Sequence, residues 1–106
     1  MQEKLYSQVL VGAPFLHDTV VKFVATLPGR IAEMEAAAAK GTQEELRVMA
    51  HRLKGTGGTH GYPELSDRAR TLESAIKQND MELAKSLLAD LKSLIANMVP
   101  EPPPKK

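Results

Sequence analysis

The sequence contains no cysteine and no tryptophan, and only 4% of its residues are aromatic. Without cysteine the chain can form no disulfide, no iron–sulfur cluster and no thiolate metal site. With so few aromatic rings, the core must be built mainly from Leu, Ile, Val, Met and Ala. This aliphatic composition, within a total of 42% hydrophobic residues, favours packed helices.

A large excess of charge and long apolar segments are also missing. The 14 basic and 13 acidic residues give a net charge of +1, which offers no electrostatic basis for binding nucleic acid or an anionic membrane. No apolar run approaches the roughly 20 residues of a membrane-spanning helix, and "MQEKLYSQVLVG" lacks the features of a signal peptide. We therefore expect a cytoplasmic protein without membrane insertion and without a nucleic-acid partner.

Helical periodicity covers most of the 106 residues, a length that suits one domain with a single core. Short connections between four helical segments predict an all-α fold, an up-and-down antiparallel four-helix bundle with a short N-terminal helix. We assign the bundle to residues 1–99, and the Pro/Lys-rich residues 100–106 to a tail or linker. The residues expected to face inward are Leu16, Val20, Phe23, Val24, Leu27, Ile31, Met34 and Ala38, then Leu46, Met49, Ala50 and Leu53, then Leu65, Ala69, Leu72 and Ile76, and finally Leu83, Leu87, Leu88, Leu91, Leu94, Ile95 and Met98.

Several residues indicate where the helices begin, end or bend. The first segment extends from about residue 14 to 39, and Pro28 within it predicts either a kinked helix or two helices in series. Gly41 suits a left-handed helix end, and Thr42 with Glu45 forms a capping-box pattern at the start of the next helix. Asp80 is expected to cap the last helix.

The stretch "AHRLKGTGGTHG", from Ala50 to Gly61, combines two histidines and a lysine with four glycines. With about 100° per residue, His51 lies near 140° from Leu46, outside the apolar face of its helix. His60 is rotated by half a turn from His51 and would join the buried face if the helix continues. The residues that surround His51 on the exposed face are Arg47, Lys54, Gly55 and Gly58.

The glycines allow two interpretations. Glycine inside a helix costs about 1 kcal/mol relative to alanine, so propensity alone favours a helix that ends at Gly55 and a flexible loop after it. Alternatively, the helix continues, and the absent side chains at Gly55 and Gly58 leave a flat approach for another protein to reach His51.

The chemistry open to this stretch is narrow. A phosphate-binding P-loop follows a strand and has its lysine after the glycines, whereas Lys54 follows a helix and precedes the glycines. A dinucleotide-binding fingerprint would need a glycine at the position of His60. The histidines have no short ligand spacing, so we predict no metal site and no cofactor. What remains is an exposed imidazole, which is nucleophilic near pH 7, beside an ammonium able to neutralise a phosphoryl oxygen.

These residues resemble the motif of histidine-containing phosphotransfer (HPt) domains. The similarity covers about residues 5 to 98 and includes "HRLKG" at 51–55, the small residues that follow it, Gly61 and Leu65, the "LP" of the long helix, "LE" at 72–73 and the "ND" turn. It implies a four-helix bundle in which the helix runs through the glycines to about Gly61. It also implies that His51 is phosphorylated, that Lys54 steadies the phosphoryl group, and that Gly55 keeps the surface open for a partner.

The resemblance leads to one principal hypothesis and two alternatives. The chain would relay phosphate between receiver-domain aspartates in a two-component phosphorelay, with a response-regulator receiver or a hybrid histidine kinase as partner and Mg²⁺ bound by the receiver. It would bind no nucleotide, have no kinase activity and be monomeric, with Arg47, Gly55 and Gly58 as candidate partner-binding residues. The alternatives are an adaptor that binds a receiver or kinase without carrying phosphate, and a plain structural bundle. For His60 we favour a structural role over a second phosphorylation site. In that role it either has a buried hydrogen-bond partner or lies at a wetter helix end than is usual.

Overall fold

The computed structural model describes residues 3–104, in which the only regular secondary structure is helical apart from an isolated bridge between Leu5 and Met98. Helices α2 to α5 form the predicted bundle, in which each helix packs against its neighbours in a ring, and α1 is the expected short N-terminal helix. The helices are α1 (Val9–Gly12), α2 (His17–Lys40), α3 (Gln43–Thr59), α4 (Pro63–Lys77) and α5 (Met81–Ile95), with a single 3-10 turn (Pro14–Leu16) between α1 and α2.

The long helix α2 is continuous through Pro28. Of the two interpretations of this proline, two helices in series is therefore wrong. Proline has no backbone N–H, so the carbonyl of Val24 loses its usual helical donor. Leu27 and Ile31 are both buried in the core on either side of Pro28, and their packing holds the helix together across the missing hydrogen bond.

The three connections between the bundle helices use the same left-handed turn. Its central residue has a positive φ in each case, 75° at Gly41, 88° at Gly61 and 60° at Asn79. After α2, the N–H groups of Gly41 and Thr42 donate to carbonyls in the last turn, and the other two connections repeat this pattern. Turns this short force sequence neighbours to run antiparallel, as predicted.

The helix caps divide into one confirmed and one wrong prediction. Asp80 caps α5, because its Oδ1 accepts a hydrogen bond of 3.1 Å from the backbone N–H of Leu83. Thr42 does not form a capping box with Glu45; its Oγ1 instead donates to the carbonyl of Ala37 at 3.1 Å. The hydroxyl hydrogen is directed to the end of α2, and the oxygen accepts no capping hydrogen bond from the first turn of α3.

The predicted aliphatic stripes lie in or against the core with one exception. Leu83 was expected inside but is 44% exposed, whereas Ala84 is buried. Leu83 lies about 100° around α5 from the centre of its buried face, so the helix turns this side chain outward. The predicted residues Leu16, Val24, Met49, Leu87 and Leu94 are partly buried and pack against the core, and the other predicted inward residues are buried.

The N-terminal segment runs along the end of the predicted bundle and the start of the predicted tail. Leu5 donates to the carbonyl of Asn97 and accepts from Val99, and Ser7 donates to the carbonyl of Glu101, all at 2.8 to 2.9 Å. Residues 100–104 form no helix, as expected. The last two residues of the predicted tail, 105 and 106, lie outside the described residues.

Candidate functional site

The site is centred on His51, in the middle of α3. Its side chain is 60% exposed, while Ala50 and Leu53 beside it are completely or almost completely buried, so the predicted outward direction is confirmed. Helix α3 continues to Thr59, and of the two interpretations of the glycines the flexible loop is therefore wrong. His51 is thus presented on a regular helical surface.

Beneath His51 lies Glu73, a carboxylate in the buried stripe of α4. Its side chain is only 4% exposed, and both carboxylate oxygens are engaged. Nδ1 of His51 lies 3.0 Å from Oε2, and Nζ of Lys54 donates to Oε1 at 3.0 Å. The two residues that sequence spacing placed one helical turn apart are therefore joined through a third residue on the neighbouring helix.

The contact with Glu73 determines which nitrogen of His51 is nucleophilic. The pKa of Glu73 lies below its ordinary value of 4.5, chiefly because of the hydrogen bond from Lys54. Burial acts in the opposite direction and raises this pKa. The hydrogen bond with His51 and the charge of Lys77 lower it further. Because an ionised carboxylate only accepts, Nδ1 must carry the proton and donate it. The lone pair of neutral His51 is then on Nε2, which no group among residues 3–104 contacts by a hydrogen bond.

Arg47 lies one turn before His51 on the same face and is held chiefly by its own helix. Its Nε and Nη2 donate to both carboxylate oxygens of Glu44 at 3.0 and 2.6 Å, and this pairing lowers the pKa of Glu44. Its Nη1 is 3.8 Å from Oε2 of Glu73, beyond hydrogen-bonding distance. Arg47 therefore adds positive charge beside the site without contacting His51.

The glycines of α3 divide by the face on which they lie. Gly55 and Gly58 are exposed, and a Cβ at Gly55 would meet no atom within 4 Å. Gly57 is buried against α4, where a Cβ would lie 3.2 Å from both Leu65 and the backbone nitrogen of Ser66. No side chains therefore project from α3 at Gly55 and Gly58, beside His51, while Gly57 permits close approach of α3 and α4.

His60 occupies a different environment at the end of α3. Its ring is stacked on Phe23, with centroids 4.1 Å apart and planes inclined by 6°, and its Nδ1 donates to the carbonyl of Thr56 at 2.7 Å. The ring lies on the inner side of α3 and has a hydrogen-bond partner, but that bond is only partly buried, so the structure supports the expected wetter helix end rather than a fully buried core position. His60 is half-buried and belongs to the packed end of the bundle rather than to the surface around His51.

Glu73 is the residue of this cluster to which the sequence assigned no role. A signal was present: it directly follows Leu72 and lies at helical spacing from Ala69 and Ile76, inside an apolar stripe. Carboxylates are rarely buried unless they are paired, so this position indicates an ionic partner. The partner could not be named, because it lies on another helix.

The site offers a nucleophile and cations. Among residues 3–104, no three metal-ligating side chains lie close enough together to hold a metal ion. Within the same range no helix combines the length and apolar character needed to span a membrane. The chemistry of the site rests on the imidazole of His51, the carboxylate of Glu73 and the surrounding cationic groups.

The family model for the Hpt domain matches residues 18–100, which include α3 to α5, all of α2 except its first residue, and every residue of this site. Comparisons with curated proteins and with solved structures gave no match. Domains of this family interact with receiver domains or histidine kinases. The four-helix bundle agrees with this match, which covers most of the chain. The chain therefore belongs to the Hpt domain family, a family of histidine phosphocarriers in phosphorelays rather than kinases.

Proposed function

We propose that the protein relays a phosphoryl group between receiver-domain aspartates, with phosphohistidine at His51 as the intermediate. The observation that carries this proposal is the hydrogen bond between Nδ1 of His51 and the buried carboxylate of Glu73, 3.0 Å long, under an imidazole that is 60% exposed. It fixes the ring and leaves Nε2 as the accessible lone pair.

The reaction is a displacement at phosphorus. The Nε2 lone pair of His51 attacks the aspartyl phosphate of the receiver, an N–P bond forms, and the P–O bond breaks as the aspartate carboxylate departs with its electron pair. The proton on Nδ1 stays in its hydrogen bond with Glu73, which stabilises the positive charge that develops on the ring. Return of the phosphoryl group to a second receiver reverses these steps.

Lys54 is the group in reach of the transferred phosphate. Its Nζ is 3.0 Å from Oε1 of Glu73, and its side chain is 30% exposed, so part of it lies at the protein surface beside His51. An ammonium there neutralises part of the charge on the phosphoryl oxygens. Phosphoryl transfer depends chiefly on such positioning and electrostatics. Mg²⁺ on the receiver would neutralise further negative charge on the phosphoryl oxygens.

The receiver approaches over the exposed glycine face of α3. Gly55 and Gly58 present no side chain there, and Arg47 supplies positive charge toward an acidic phosphorylation pocket. A receiver domain or a hybrid histidine kinase is the partner on this proposal. The proposal further includes a monomeric cytoplasmic protein without kinase activity, in which residues 1–99 form the functional bundle and residues 100–106 a tail or linker.

The test is transfer of radiolabel from phosphorylated receiver domains to this protein. We expect label that is labile in acid and stable in alkali, located on His51, and absent from the His51→Gln variant. His60→Gln is the matched control and should accept label like the unaltered protein. Label on His51→Gln at the unaltered rate would refute the proposal, and receiver binding without any phosphohistidine would select the adaptor function instead.

A further inference from the structure

Four basic side chains lie within 4 Å of the single carboxylate of Glu73 in the unphosphorylated protein. Besides His51 and Lys54, Nη1 of Arg47 lies 3.8 Å and Nζ of Lys77 3.7 Å from its Oε2. The two nearer partners make hydrogen bonds, and the two farther ones do not. Two cations are therefore held just outside hydrogen-bonding range of a buried acid.

The proposed phosphotransfer would change this arrangement. The two nitrogens of an imidazole point to different sides of the ring, so a phosphoryl group on Nε2 of His51 lies away from Glu73. If Lys54 turns to that group, its 3.0 Å contact with Oε1 of Glu73 is weakened or lost. A carboxylate as buried as Glu73 is strongly disfavoured without a countercharge, and its hydrogen bond to Nδ1 would suffer.

Of the two outer cations, Lys77 is the one free to take over. Arg47 is already fixed by two hydrogen bonds to Glu44. Among residues 3–104, Glu73 is the only carboxylate within 4.0 Å of Lys77. The side chain of Lys77 is 58% exposed and able to move. Lys77 also follows Glu73 by four residues in the favourable Glu-to-Lys order and closes the last turn of α4, where positive charge is stabilised.

We propose that Lys77 is a positioning residue, the replacement counterion that keeps Glu73 charged and bonded to Nδ1 of His51 when Lys54 turns to the phosphoryl group. The proposal rests on the phosphocarrier function proposed above. Lys77 does not touch the reacting atoms; it acts through Glu73.

The first experiment needs no phosphate and measures unfolding by urea in a double-mutant cycle. With Lys54 present, Lys77→Gln should change the unfolding equilibrium constant less than about twofold. In the Lys54→Gln background, where Glu73 already relies on Lys77, the same substitution should change it about threefold to fivefold, the scale of a partly exposed ion pair. Equal effects in both backgrounds would mean that Lys77 cannot replace Lys54 at Glu73, and would overturn the proposal.

The second experiment measures the rate at which His51 takes up phosphate from a phosphorylated receiver. Lys77→Gln should slow this step about threefold to fivefold, and Lys77→Arg, which keeps a cation in reach of Glu73, should restore it. Lys85→Gln, the same charge change on the exposed face of α5, is the matched control and should have no effect.

The outcomes separate the two proposals. If His51→Gln abolishes label but Lys77→Gln matches the unaltered protein in rate, the role of Lys77 is wrong and the phosphocarrier function stands. If Lys85→Gln slows transfer as much as Lys77→Gln, or if Lys77→Arg fails to restore it, general charge or packing is the cause, and the role of Lys77 is again wrong. If no label reaches His51, the phosphocarrier function itself fails.

Discussion

His51 lies on the exposed face of α3 against the carboxylate of Glu73, whereas His60, at the end of the same helix, stacks on Phe23 and donates to a backbone carbonyl. Both rings have Nδ1 engaged, so a hydrogen bond at that atom does not distinguish a nucleophile from a structural residue. The difference lies in the partner's charge and in access. A carboxylate stabilises positive charge on the ring more strongly than a neutral carbonyl does, and only the ring of His51 is mainly in water.

The largest expected effect is on the partner of His51. Glu73→Gln removes the negative charge but keeps the shape, and should slow phosphate uptake from a receiver about 10- to 100-fold, as loss of a charge-assisted hydrogen bond would. Single-turnover rates of label transfer measure this. Glu64→Gln, an exposed position on the same helix, should leave the rate unchanged. An unaltered rate in Glu73→Gln would show that the carboxylate is dispensable.

The next largest effect concerns the free energy of unfolding, which should depend on His60 rather than on His51. His60→Ala loses an aromatic stack and a hydrogen bond, and should lower the free energy of unfolding by about 1 to 2 kcal/mol. His51→Ala, at an exposed position, should change it by less than about 0.5 kcal/mol. Urea denaturation monitored by circular dichroism measures both, and the opposite ranking would contradict the assigned environments.

A smaller effect compares the glycines of the two faces of α3. Gly55→Ala should raise the free energy of unfolding by about 0.5 to 1 kcal/mol, because alanine favours the helix and the added methyl meets no atom within 4 Å. Gly57→Ala should lack this gain, because its methyl would crowd Leu65 and the backbone of Ser66. Thermal unfolding of both variants tests the difference, and an equal gain at Gly57 would indicate that α4 yields easily.

The smallest effect is the dependence of stability on pH that Glu73 introduces. Its pKa is lower in the folded protein than the ordinary 4.5, so this carboxylate stabilises the fold above about pH 4.5, and the stabilisation is lost as the pH falls through the folded pKa. We expect less than about 1 kcal/mol, because its partners are partly in water. Unfolding at pH 6 and pH 3 should show a larger loss in the unaltered protein than in Glu73→Gln. Equal losses would mean that Glu73 is not selectively ionised by folding.

Much of the fold followed from local patterns. Apolar spacing predicted the bundle, Asp80 predicted a helix cap, and Gly41 a left-handed turn, because these features depend on residues close together in the chain. The wrong details concern the orientation of single side chains rather than the positions of the helices. The hydroxyl of Thr42 turned to the carbonyl of Ala37, and the rotation of α5 against the core turned Leu83 outward.

The sequence by itself determined that His51 and Lys54 lie on the exposed side of their helix and that His60 lies on the other side, since helical geometry alone sets these directions. Helix propensity alone could not show that α3 continues through its glycines, as the resemblance implied, because packing against α4 at Gly57 is what offsets their poor propensity. Only the tertiary structure decided that Glu73 lies beneath His51. A contact between residues 22 positions apart depends on how two helices pack, and no periodicity along the chain encodes it.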